Sequence, residues 1–219
     1  MTATGPSTGL VVGTLFMGLV ASLFWPVTRY LITIAHEGTH AMTGSMTGGK
    51  VLYVQVNADA TGETKASGNL FLYWIAGYVG PSLFGIAGAI LLDNGAHPDA
   101  ILWTTIVLLG AVVLQMRKFF GIAAVAVAGF FLIMIVRNAT PTAREVCAYT
   151  LIWFLLFGGV IQNMEDNRKS VGWSGDGASL RDYTKIPKGF WGMLWWLATL
   201  AALGYGGGIL VGAIDAPGT

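Results

Sequence analysis

Charge is scarce in this 219-residue chain: 11% of its residues are Asp, Glu, Lys or Arg, against 54% that are hydrophobic. A soluble domain carries about 25% charged residues. This chain lacks the polar groups to cover its own surface, and a lipid bilayer is its natural solvent. The formal net charge of +1 excludes the strong basic field of a nucleic-acid binder. Cysteine is nearly missing as well. A single Cys147 rules out an internal disulfide framework and a thiolate zinc cluster, and its place in an apolar run reads as a small buried hydrophobe. Met1 to Thr8 holds no lysine or arginine, so the positive n-region of a secretory signal peptide is absent. The first apolar stretch is therefore expected to be a retained membrane helix.

What the chain does have is a series of apolar stretches. They run from about Gly9 to Trp25, Val27 to Met46, Leu70 to Leu92, Ala100 to Met116, Phe119 to Val136, Ala143 to Ile161 and Phe190 to Ile214. Crossing a hydrocarbon core of about 30 Å takes roughly 20 helical residues. The expectation is an all-α polytopic membrane protein of six or seven transmembrane helices, in one domain over residues 1–219. The second stretch is the odd one, since it carries Arg29, His36, Glu37 and His40. Two segments break the helical pattern. Lys50 to Ala66 reads as a short strand or hairpin, with alternating Val51, Tyr53 and Gln55 and a turn at Thr61-Gly62. The stretch 163–188 is a long polar loop, broken by Gly172, Gly175, Gly177 and Pro187.

Placing successive loops on alternate sides, with the second helix crossing, puts Lys50, Lys65, Arg117, Lys118, Arg168, Lys169, Arg181, Lys185 and Lys188 on one side. Arg29, Arg137 and Arg144 fall on the other. The positive-inside bias makes the richer side cytoplasmic, and the N-terminus with it.

The chemistry sits in His36-Glu37-Gly38-Thr39-His40. Residues four apart share a helix face, so His36 and His40 present two imidazoles to one point. Glu37 stands where a carboxylate can take a proton from a zinc-activated water. Ionisable groups inside a membrane helix cost about 2.5–3.5 kcal/mol when central, so they face a partner, and Zn2+ suits this spacing. A third ligand is still needed. His97 falls in a loop on the opposite side and reads as a solvated residue. The ligand is expected to be a carboxylate on the side where the motif helix ends: Asp59, Glu63, Glu165, Asp166, Asp176 or Asp182. Asn163 and Asn69 are the polar groups available as oxyanion stabilisers, and both also read as caps or interhelical hydrogen bonds. Trp191, Trp195 and Trp196 suit a membrane-interface belt.

The motif helix, with Ala41-Met42-Thr43-Gly44 after it, resembles the site-2 protease class of intramembrane metallopeptidases, and is most similar to its compact bacterial B-type branch. Gly48 to Thr64, ending in Gly62-Glu63-Thr64, resembles that family's strand and G-x-T segment. Ala76-Gly77-Tyr78-Val79-Gly80-Pro81-Ser82 and Gly175-Asp176-Gly177-Ala178-Ser179-Leu180, with Thr184 to Pro187 and Trp191, agree in order. The resemblance implies a bacterial cell-membrane enzyme that hydrolyses peptide bonds of membrane-embedded protein substrates. Asp176 would be its third zinc ligand, with Asp166 or Glu165 next in line, and Glu37 its general base. It also implies an unwound substrate helix paired along the Val51–Val56 strand. Two other readings use the same residues: a transporter or proton path, and a non-catalytic family member that binds partner helices.

Overall fold

The computed structural model describes residues 6–169 and 175–218, so Gly172 lies outside the described residues. The elements run α1 (Thr8–Leu23), α2 (Trp25–Met46), β1 (Val51–Val56), β2 (Gly62–Ala66), α3 (Leu70–Asp93), α4 (Pro98–Val113), α5 (Phe119–Asn138), α6 (Pro141–Lys169), α7 (Asp176–Thr184) and α8 (Lys188–Leu210). Local chemistry sets their ends. The Ser7 hydroxyl accepts from Leu10 N and the Asn69 amide oxygen from Leu72 N, so both residues cap helix starts. Pro26 and Pro98 occupy first turns, where the missing N–H has no intrahelical partner to lose.

Four helices are long and apolar enough to cross a bilayer: α3, α5, α8 and the Pro141–Asp166 part of α6. They become five if the bent pair α1–α2 counts as one span. The expectation of six or seven is not confirmed by helix length and composition among the described residues, for two reasons. α1 and α4 have 16 residues each, about 24 Å at 1.5 Å per residue, which is short of the core. α2 turns by 99° from α1 at Phe24 and does not traverse the bundle.

The contacts show the path of α2. α3 and α6 run antiparallel, with Gly88 against Ile152, Gly85 against Leu156 and Ser82 against Gly159. The start of α3 and the end of α6 therefore share one end of the bundle, here called the polar end. α2 begins there, where Trp25 Nε1 donates to Glu165 Oε2 (2.6 Å) and Arg29 Nη1 pairs with Glu165 Oε1 (3.4 Å). It also finishes there, with Thr47 Oγ1 accepting from Asn69 N at 3.0 Å. Arg29 thus belongs to the polar end, opposite to its placement by alternating loops. α1 runs parallel to α6, as Met17 meets Thr150, Gly18 meets Trp153 and Trp25 meets Gly158. The N-terminal end of α1 is consequently at the far end of the bundle, and its expected position beside the active-site opening is corrected.

The hairpin is present, with β1 and β2 antiparallel and Val54 opposite Thr64. Its turn lies at Ala58–Ala60, closed by Asn57 N donating to Thr61 O (2.8 Å), with Ala60 at φ +59°. Gly62 belongs to β2 and not to the turn. β1 is the inner strand, because Val54 N donates to Gln115 O (3.0 Å) and Arg117 N to Val54 O (3.3 Å). The outer edge belongs to β2, where Tyr73 OH donates to the Thr64 carbonyl. The polar stretch is more regular than expected: α6 continues to Lys169 and α7 begins at Asp176. Trp191 and Trp195 are buried around Leu180 with Phe71, Trp74 and Tyr78, and Trp195 Nε1 donates to Ile75 O at 3.2 Å. They clamp α7 onto α3 and α8 and do not form an interfacial belt.

Candidate metal centre

The site grows from one face of α2. His36, Glu37 and His40 are all buried, at 7%, 5% and 3% exposure. The His40 Nδ1 atom is 2.7 Å from the Tyr73 carbonyl. A carbonyl only accepts, so the ring proton is on Nδ1 and the lone pair is on Nε2. That Nε2 is 3.1 Å from His36 Nε2. Asp176 Oδ2 completes a triangle, 3.2 Å from His36 Nε2 and 3.0 Å from His40 Nε2.

Asp176 is delivered by the clamp on α7. Gly175 takes the N-cap position at φ +91°, a backbone conformation natural to glycine. Asp176 is the first helical residue, and its carboxylate turns to the imidazoles. Burial alone pushes that carboxyl up, but the facing His40 and His36 rings outweigh burial and hold it below the usual carboxylate range.

Three donor atoms of this kind suit a zinc ion. Tetrahedral bonds of about 2.0–2.1 Å set ligand atoms about 3.3–3.4 Å apart, close to the three separations in the triangle. The backbone makes room for them: a Cβ on Gly77 would overlap both Nε2 atoms. Among the described residues, His36, His40 and Asp176 are the group of His, Cys, Asp or Glu that converges in this way.

The other carboxylates do not join it. Asp59 accepts from Thr61 N and Oγ1 in the hairpin turn, and Glu63 accepts from Tyr53 OH. Glu165 is held by Trp25 and Arg29, and Asp166 lines the cavity wall. Asp182 is exposed beside Arg181. His97 caps α4, its Nδ1 accepting from Asp99 N.

Glu37 is fixed by β2. Thr64 Oγ1 donates to Glu37 Oε2 at 2.7 Å and lies 3.1 Å from the Glu37 carbonyl. Two residues earlier, a Cβ on Gly62 would overlap Glu37 Oε1. One strand face thus hydrogen-bonds one carboxylate oxygen and sets only a glycine against the other. The turn beyond is tied to α2: the Thr33 and Tyr30 hydroxyls donate to Ala60 O and Ala58 O (2.9 and 2.6 Å), and Arg29 donates to Asp59 O. Centre and hairpin line a polar cavity of about 790 Å³, bounded also by Tyr73, Trp74, Gln162 and Lys188.

Neither asparagine considered for the oxyanion faces this cavity. Asn163 donates to Gly159 O and Tyr78 O between α6 and α3, and Asn69 caps α3. Sequence reasoning missed the role of Thr64 and passed over Gln162. A polar side chain late in an apolar span was the available signal for Gln162.

The family model described as Peptidase M50B-like matches residues 9–206. No curated protein matches the chain significantly. No solved structure matches it either.

Proposed function

Given that the chain belongs to the Peptidase M50B-like family, a site-2 protease family, we propose that it is an intramembrane zinc metallopeptidase acting on membrane-embedded protein substrates. The observation that carries this reading is the convergence of His36, His40 and Asp176 on one point, with Glu37 beside it in a polar cavity among apolar helices. His36 Nε2, His40 Nε2 and Asp176 Oδ2 are the atoms that would hold the ion. Zinc, when bound, supplies Lewis acidity to the scissile carbonyl and the attacking water. Glu37 takes the water proton on Oε1, the oxygen that Thr64 leaves free, and returns it to the leaving amine.

A substrate helix hides its peptide bonds in hydrogen bonds and must unwind to be cut. In an antiparallel ladder, residues alternate between facing the partner strand and facing outward. Val54 spends its N–H and C=O on the Gln115–Arg117 segment, so its partner Thr64, and Gly62 two residues before, turn theirs to the outer edge of β2, where Tyr73 OH already donates to the Thr64 carbonyl and the Thr64 N–H and Gly62 are left for pairing. That edge lines the cavity, and it, not β1, receives the unwound substrate. Arg29 joins the polar end, leaving only Arg137 and Arg144 at the other. Positive-inside bias favours a cavity mouth on the cytoplasmic side, and the resemblance described above favours a bacterial membrane.

Metal analysis of the purified protein tests the reading. One zinc per chain in wild type, and loss of it in His36→Ala and Asp176→Ala, is the expected result. A wild type with no zinc sinks the reading, and full zinc in Asp176→Ala removes Asp176 from the ligand set.

A further inference from the structure

Gln162 projects from α6 into the cavity beside the first imidazole. Its Nε2 is 3.3 Å from His36 Nδ1, while its Oε1 is buried with no hydrogen-bond partner. His40 shows what the neighbouring ring requires. There a carbonyl oxygen accepts the Nδ1 proton, and the lone pair is left on Nε2 facing Asp176. An amide N–H does the reverse. With Gln162 Nε2 toward it, His36 Nδ1 must accept, and its ring proton is forced onto Nε2, the atom that faces His40 and Asp176. A half-turn of the amide about its last side-chain torsion exchanges oxygen and nitrogen, which an amide does without changing shape. Oε1 then gains the Nδ1 proton as its partner, and His36 Nε2 carries a lone pair like that of His40.

We propose that Gln162 is the positioning residue for His36: its amide oxygen accepts from Nδ1–H, fixes the ring in the tautomer with a free Nε2, and so sets the affinity of the centre for zinc. The inference rests on the metallopeptidase reading. It concerns one imidazole only, because the acceptor for His40 is backbone and no side-chain substitution removes it. Outer partners of metal-bound histidines are typically worth 10–100-fold in metal affinity.

The experiment is chelator competition for zinc on the full-length protein in detergent, beside the visible spectrum of the cobalt-loaded form. Gln162→Leu should bind zinc 10–100-fold more weakly than wild type, with an altered cobalt spectrum. Gln162→Glu, which still accepts from Nδ1–H, should bind at least as tightly as wild type and restore the spectrum. Gln162→Met, similar in length and unable to accept in this way, takes the place of the leucine variant if that variant does not fold. Wild-type affinity in the Leu or Met variant overturns the role of Gln162 and leaves the metallopeptidase reading standing. So does a Glu variant as weak as Leu. A wild type that holds no zinc overturns both.

Discussion

Glu37 meets β2 at two residues, and the two contacts make separate predictions. Thr64→Val keeps the shape of the side chain and removes the 2.7 Å hydrogen bond to Oε2. A hydrogen bond to a charged group is worth about 1.5–3 kcal/mol, so kcat should fall by on the order of 10–100-fold, with zinc content unchanged and activity recovered in Thr64→Ser. Gly62→Ala should lower kcat without loss of zinc, since its Cβ meets Glu37 Oε1 and not the imidazoles. If either variant lost zinc in proportion to activity, β2 would be supporting the metal and not the base. At this scale the sequence was informative where spacing alone sets geometry. His36, Glu37 and His40 follow from helix periodicity. Asp176 needed the family resemblance, because a contact across 136 residues leaves no local trace. Gln162 had neither spacing nor resemblance to mark it.

The element that most needed the structure was α2. Its apolar residues suggested a crossing, yet its polar face is tied at both ends to the polar end of the bundle, by Arg29 to Glu165 and by Thr47 to Asn69. Hydropathy measures solubility in lipid, not direction, and so could not show the 99° turn at Phe24. The hairpin is visible from its alternation, but the pattern alone puts the turn at Thr61-Gly62 because glycine is the usual turn residue. Gly62 is required instead by the approach of Glu37, a tertiary cause. The tie between α2 and α6 is partly exposed: the Arg29 and Glu165 side chains are 25% and 27% accessible, so their ion pair is worth about 0–1 kcal/mol. Arg29→Met should lower the thermal midpoint by no more than roughly 2–4 °C and speed proteolytic cutting at Ala58–Thr61, where Arg29 holds the Asp59 carbonyl. An unchanged cutting rate would show that Tyr30 and Thr33 secure the turn alone.

Across the whole molecule, the apolar runs gave the helices and their order, and the composition gave the bilayer. The number of spans and the side of the N-terminal end did not follow, because both depend on the 99° bend between α1 and α2. That arrangement predicts labelling from opposite faces. In a Cys147→Ala background, a cysteine at Ser7 and one at Tyr183, both exposed, should react with an impermeant thiol reagent from different sides of sealed vesicles. Labelling from the same side would contradict the parallel course of α1 and α6. The most direct test of the central claim is cleavage of a membrane-embedded model substrate by zinc-loaded wild type and zinc-loaded Glu37→Gln. Wild type should cut within or beside the substrate helix, and Glu37→Gln should keep its zinc and not cut. Equal cleavage by the two proteins would contradict the account.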